Sequence, residues 1–161
     1  MKYGALIMYY KNARLHAMTE ETALQISEWE YKPPLDMCSF KGRPNGYLMD
    51  KATWGTEQFC LLEQARLIGY VSCQLDKGML WVGWSLSPKL CGRGEGHLFV
   101  EKCVQEIREI KRYKNPVYLR VAASNIRAIK AYQKAGFVLS EIIQDEIAYT
   151  NNIEDFWIMK N

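Results

Sequence analysis

Between a run of strand-forming residues and a long helical stretch lies the segment Leu86-Ser87-Pro88-Lys89-Leu90-Cys91-Gly92-Arg93-Gly94-Glu95-Gly96. Three glycines at alternate positions allow backbone angles closed to other residues and let a ligand approach the main chain. The first N–H groups of the following helix have no partner within it, and they carry the positive end of its dipole. An anion such as phosphate is therefore expected at this bend. A bare turn or a close helix–sheet contact would use the same glycines, so the segment needs a second signal. It lacks the Lys-Ser/Thr ending of a nucleotide P-loop, and no acidic ribose ligand follows a second strand about 20 residues on. ATP and dinucleotide readings both lose ground.

The remaining sequence bounds the fold. At 161 residues the chain is long enough for one buried core and short for two, and no repeat or linker divides it. One domain over residues 1–161 is expected. No apolar run approaches the roughly 18 residues that cross a bilayer, Ala5 to Tyr10 being the longest candidate. The amino terminus has only Lys2 before that stretch and no small-residue cleavage site, which makes a poor signal peptide; the cytoplasm is the expected compartment. Five cysteines without a C-x-x-C suit reduced thiols, and with two histidines they offer no zinc-ligand spacing, so no metal is expected. A net charge of +3 in mixed signs argues against a nucleic-acid partner and tolerates an anionic ligand.

The order of elements points to an α/β fold. An opening strand is expected within Tyr3 to Met18. Thr19 then caps a helix over Glu20 to Trp29, with Ala23, Leu24 and Ile26 on its apolar face, and Pro33 and Pro34 end it. Residues 35 to 56 read as irregular with at most one helical turn, a length of loop that is often functional. Strands follow over Gln58 to Glu63, Leu67 to Leu75 and Met79 to Leu86, with a turn at Asp76, Lys77 and Gly78, forming an antiparallel meander. A helix over Gly96 to Tyr113 buries Val100, Cys103, Val104, Ile107 and Ile110 and turns Glu101, Lys102, Arg108 and Glu109 outward. Val117 to Ala122 is a short buried strand, Asn125 to Ala135 a helix closed by Gly136, and Phe137 to Ile147 with Ile153 to Lys160 a final hairpin. The helix between the strands at 79–86 and 117–122 makes their pairing parallel, giving a mixed, mainly antiparallel sheet with helices on both faces. An exposed edge of such a sheet would let two chains pair as a homodimer.

The second signal is Asn125-Ile126-Arg127-Ala128-Ile129-Lys130-Ala131-Tyr132-Gln133-Lys134-Ala135-Gly136-Phe137, an N-x-x-A-x-x-x-Y-x-x-x-G-F pattern opening the second of these helices. Together with the glycine loop upstream it closely resembles the GNAT superfamily of acetyl-CoA-dependent N-acetyltransferases. The resemblance covers the core from about residue 58 to the carboxyl terminus, with Thr19 to Trp29 where the family's first helix belongs. It is looser toward the ribosomal-protein N-terminal acetyltransferases, through the Ala-Ser-Asn run. The resemblance implies that the strands at 79–86 and 117–122 splay into a cleft for acetyl-CoA, the co-substrate. Backbone groups of Trp84, Ser85 and Leu86 would pair with the pantetheine amides, and the amide near Leu86 would polarise the thioester carbonyl. N–H groups from Gly92, Arg93, Gly94, Glu95, Gly96 and His97 would hold the diphosphate, with Arg93 adding charge and Asn125 anchoring the cofactor. Tyr132 matches the phenol that protonates the departing thiolate; packing of its ring on the core is the simpler alternative.

Three departures from the family pattern matter. Cys91 stands where Arg or Gln is common, and a helix amino terminus lowers thiol pKa values, so a nucleophilic role is open to it but ranks below direct transfer, since no histidine partners it. Glu95 replaces an apolar residue and is expected to turn to solvent. The general base is missing, with Leu80 and Arg120 at the positions where relatives carry glutamates; Glu28, Glu30 and Glu63 are the remaining candidates, or ordered water. An α-amine of pKa ~7.8 is neutral about 400 times more often at pH 7 than a lysine amine at ~10.4, so a low-pKa primary amine, small-molecule or peptide, is the easier acceptor. Tyr31, Phe40, Tyr47, Trp54 and Tyr149 either line its pocket or close a small core. Two rivals to a general amine acetyltransferase remain: an N-terminal protein acetyltransferase, and a non-catalytic acetyl-CoA-binding regulatory module.

Overall fold

Short apolar runs fill Gln58–Glu63 and Met79–Leu86, and in the computed structural model, which describes residues 10–147 and 150–161, both segments are strands with those boundaries. The described elements are β1 (Arg14–Ala17), α1 (Glu20–Ser27), β2 (Gln58–Glu63), β3 (Arg66–Asp76), β4 (Met79–Leu86), α2 (Gly96–Lys111), β5 (Val117–Ala122), α3 (Ile126–Lys134), β6 (Val138–Glu146) and β7 (Ile153–Lys160). The strands form one mixed sheet in the order β1-β2-β3-β4-β5-β7-β6, antiparallel throughout except where β4 meets β5. This is the expected α/β architecture.

The two-residue period of the strands divides the core between the sheet's faces. Phe59, Leu61, Leu80, Val82, Val117 and Leu119 pack with Phe99, Cys103 and Ile107 of α2, while Cys60 and Tyr70 join Ala23 and Ile26 of α1 in a second cluster. Asp76 and Met79 close the β3–β4 hairpin, with Lys77 at φ 50° and Gly78 at φ 77°, the pair of left-handed residues that a tight two-residue turn requires. Thr19 caps α1 through a reciprocal pair: its Oγ1 accepts from the Thr22 amide at 3.2 Å, and its own amide donates to Thr22 Oγ1 at 3.0 Å.

Several local expectations are corrected. Tyr10 and Lys11 are helical, so the opening strand is confined, among the described residues, to Arg14–Ala17; residues 1–9 of the expected span lie outside them. Helix α1 stops at Ser27 and leaves Leu24 exposed, and the loop before β2 contains two single 3-10 turns, at Asp36–Cys38 and Lys51–Thr53. Ile110 is exposed whereas Lys102, expected outside, is buried. Lys102 Nζ sits 3.9 Å from Glu106 Oε2 one helical turn on, and Glu106 Oε1 accepts the Leu15 amide at 2.9 Å. The buried carboxylate thus satisfies a backbone donor of the short strand β1, and the ammonium balances its charge.

Candidate active site

Strands β4 and β5 are in register only at Leu80–Val117 and Trp81–Tyr118. Beyond Trp81 they part, and the open end of the V is the head of the site. The amide of Ser87 donates to the Ile68 carbonyl across to β3, and Gly69 faces Leu86 in the next register position. Pairing in an antiparallel ladder alternates between bonded and non-bonded positions. Ser85 therefore spends its main-chain groups on β3, and Trp84 and Leu86 turn theirs toward the cleft. Gly69 is forced by this closeness: a Cβ there would lie 2.5 Å from the Phe99 ring.

At the foot of the cleft the chain bends through the 3-10 turn Pro88–Leu90 into α2. Gly92 and Gly94 have φ of 79° and 74°, and a Cβ at either would meet open space, so backbone angle and not crowding demands glycine there. None of the main-chain N–H groups from Gly92 to His97 has a protein acceptor among the described residues, and the N-cap Glu95 makes no side-chain capping bond. Six donors and the positive end of a sixteen-residue helix are left for an anion. Glu95 does not turn to solvent as expected: it is buried, with Oε2 accepting from the Tyr10 hydroxyl at 3.3 Å.

Helix α3 forms the opposite wall. Asn125 caps it, Oδ1 accepting from the Ala128 amide at 3.3 Å, which leaves the Nδ2 hydrogens without a protein acceptor among the described residues. Tyr132 packs edge-on against Trp84 at 5.9 Å between ring centroids and tilted against Phe137 at 6.0 Å. Burial pushes its phenol from 10.0 up to about 12, the Trp84 side chain acting weakly the other way, so the proton stays on the oxygen at neutral pH.

One cavity of about 390 Å³ gathers these groups: Trp84, Ser85, Leu86, Gly92, Arg93, Gly94, Glu95, Gly96, His97, Asn125 and Tyr132 all line it. Arg127, Lys130 and Lys134 also line it and were not singled out from the sequence. Their spacing places them on one face of α3, a legible signal once that helix is assigned. Among the described residues they make, with Arg93, four cations against the single carboxylate of Glu95, a field that suits a phosphate-bearing ligand.

The base candidates fare differently. Glu28 and Glu30 are exposed, Glu30 lying 3.7 Å from Lys41, and neither they nor Glu63 lines the cavity. Arg120 is held by Asp145 and lies 4.1 Å over the Phe156 ring. Cys91 reaches the cavity, but burial raises its thiol above the ordinary value, opposite to the lowering a nucleophile needs. Of the loop aromatics only Tyr31 lines the cavity; Phe40 and Trp54 pack on the second core cluster, the Tyr47 hydroxyl is 3.3 Å from Glu57, and Tyr149 lies outside the described residues. No described residue of the β6–β7 hairpin lines the cavity. Among the described residues no group of three or more His, Cys, Asp or Glu could hold a metal ion, and no helix is long and apolar enough to cross a membrane.

The sequence model of the Acetyltransferase (GNAT) family matches residues 17–137. No curated protein matches the chain in sequence. Solved structures similar to it include an acetyltransferase of the GNAT family from Bacillus anthracis, 11% identical with a TM-score of 0.72, covering 93% of this chain and 94% of that one. A spermidine N-acetyltransferase from Vibrio cholerae, solved with CoA and spermine, is 17% identical with a TM-score of 0.68, covering 94% of this chain and 95% of the other. At these identities the likeness is one of fold.

Proposed function

The chain belongs to the GNAT acetyltransferase family, and from that premise we propose that it transfers the acetyl group of acetyl-CoA directly to a primary amine. The observation that carries this reading is the meeting, in one cavity, of the unpaired amides of Gly92 to His97 with the cleft-facing main chain of Trp84 and Leu86. The amides and the four cations fit a diphosphate, and the parted edge of β4 fits a ligand that carries its own amides. A thioester carbonyl seated at the Leu86 amide has its developing negative charge met by a fixed donor. The amine lone pair forms the new C–N bond, the C–S bond breaks, and the Tyr132 phenol gives its proton to the departing thiolate. The proton lost by the amine passes to water, which in turn restores the Tyr132 proton, since Glu95, the one carboxylate lining the cavity among the described residues, is buried against Tyr10. Without a strong base, an amine of low pKa is favoured.

The absence of a base-like carboxylate from the cavity lining among the described residues also favours a second reading, a module that binds acetyl-CoA without turning it over. Thiol release from acetyl-CoA, measured against a panel of peptide α-amines, amino acids and polyamines, separates the two. Saturable stimulation by at least one amine is expected. Binding of coenzyme A with no stimulation by any amine would overturn the enzymatic reading.

A further inference from the structure

Tyr31 lies in the loop after α1, far from β4 in sequence, yet its hydroxyl donates to the Leu86 carbonyl at 2.6 Å. That carbonyl belongs to the residue whose main chain faces the cleft, so the phenol stands one peptide unit from the amide assigned above to the thioester oxygen. Tyr31 is 8% exposed and lines the cavity, with Leu35 and Cys38 beside it. Its backbone is held as well: the Tyr31 amide donates to Ser39 Oγ at 2.9 Å. The phenol has a single hydrogen, and it is committed to Leu86. The Ser85 side chain also hydrogen-bonds to this oxygen, so what it can still offer a ligand is its remaining lone pair. Burial, reinforced by the nearby Cys91 and Cys38 thiols, raises this phenol well above its ordinary value, so it is a neutral acceptor and takes no part in proton exchange.

We infer that Tyr31 receives the acceptor amine, accepting an N–H hydrogen bond from the incoming nitrogen and so aiming its lone pair at the carbonyl held at Leu86. The inference rests on the acetyl-transfer reading. Two features favour this role over that of a plain tether. A tether alone would not need a ring that lines the cavity, and no other hydroxyl- or carboxylate-bearing residue of the α1–β2 loop does so. Fixing the donor through Leu86 also leaves the lone-pair direction set by the sheet and not by a mobile loop, which is how an attacking group is oriented most effectively.

The test compares Tyr31→Phe, which keeps the ring and its packing, with the parent protein in steady-state kinetics, using the best amine of the panel above. The Michaelis constant for the amine is expected to rise roughly tenfold, while that for acetyl-CoA and the affinity for coenzyme A stay within about twofold. Ser39→Ala, which loosens the Tyr31 backbone without entering the cavity, should raise the amine constant in the same direction by a smaller factor. An unchanged amine constant in Tyr31→Phe, or in Ser39→Ala if the first variant does not fold, overturns the role. So does an equal weakening of coenzyme A binding, which marks a structural tether. A parent protein that does not bind coenzyme A overturns the acetyl-transfer reading instead.

Discussion

At the scale of single residues the site depends on where protons stay. Tyr132 is half-buried between Trp84 and Phe137, and burial pushes its phenol up to about 12. Across the range in which the protein is handled it is therefore protonated and ready to donate. Tyr132→Phe should lower kcat by about a hundredfold, with the same deficit at every pH from 6 to 10, because nothing in the parent's Tyr132 titrates in that window. A deficit that vanishes toward pH 10, or no deficit, would contradict the acid role. The same shift bears on stability with a definite sign. Below pH 10 folded and unfolded chains both keep this proton; between about 10 and 12 only the unfolded chain releases it, so stability falls with rising pH across that interval. Glu95 and Cys91 show what residue identity alone could not convey. Each looked reactive or solvent-seeking beside a phosphate loop, and each is set by burial: the carboxylate by Tyr10, brought from 85 positions away, and the thiol by a wall of the cavity.

At the scale of elements, local patterns carried well. The three-residue punctuation by glycine, the Asn125 cap and the period-two strands are short-range features, and β2, β4, β5 and β7 have the boundaries read from the sequence. Contacts between elements were not legible, because no pattern within α2 marks Lys102 and Glu106 as facing β1, and none within the loop marks Tyr31 as reaching β4. Two predictions follow from the geometry of these elements. Gly94→Ala places a Cβ at φ 74°, so it should cost about 1–2 kcal/mol and weaken coenzyme A binding; a variant with parental melting temperature and affinity would show that the left-handed bend is not required. Glu106→Gln keeps an acceptor for the Leu15 amide but removes the charge that balances the buried Lys102 ammonium, leaving it the Lys11 carbonyl at 3.4 Å, and should lower unfolding free energy by about 3 kcal/mol. A denaturation midpoint equal to the parent's would show that the buried pair is not coupled to folding.

For the whole molecule, a seven-stranded sheet holds together at one end, through the two register pairs Leu80–Val117 and Trp81–Tyr118, and opens at the other. The fold thereby exposes main-chain donors in its middle, where a sheet ordinarily buries them, and α2 aims its amino terminus into the same opening. The family pattern in the sequence anticipated this opening; the four-cation rim and the seat of Tyr31 required the folded arrangement. Titration calorimetry with coenzyme A, repeated with pantetheine, which lacks the diphosphate, tests the design most directly. Saturable one-site heat is predicted for coenzyme A, with binding at least roughly tenfold weaker for pantetheine. Absence of saturable heat from folded protein, or equal affinity for the two ligands, would contradict an anion seat built from the Gly92–His97 amides.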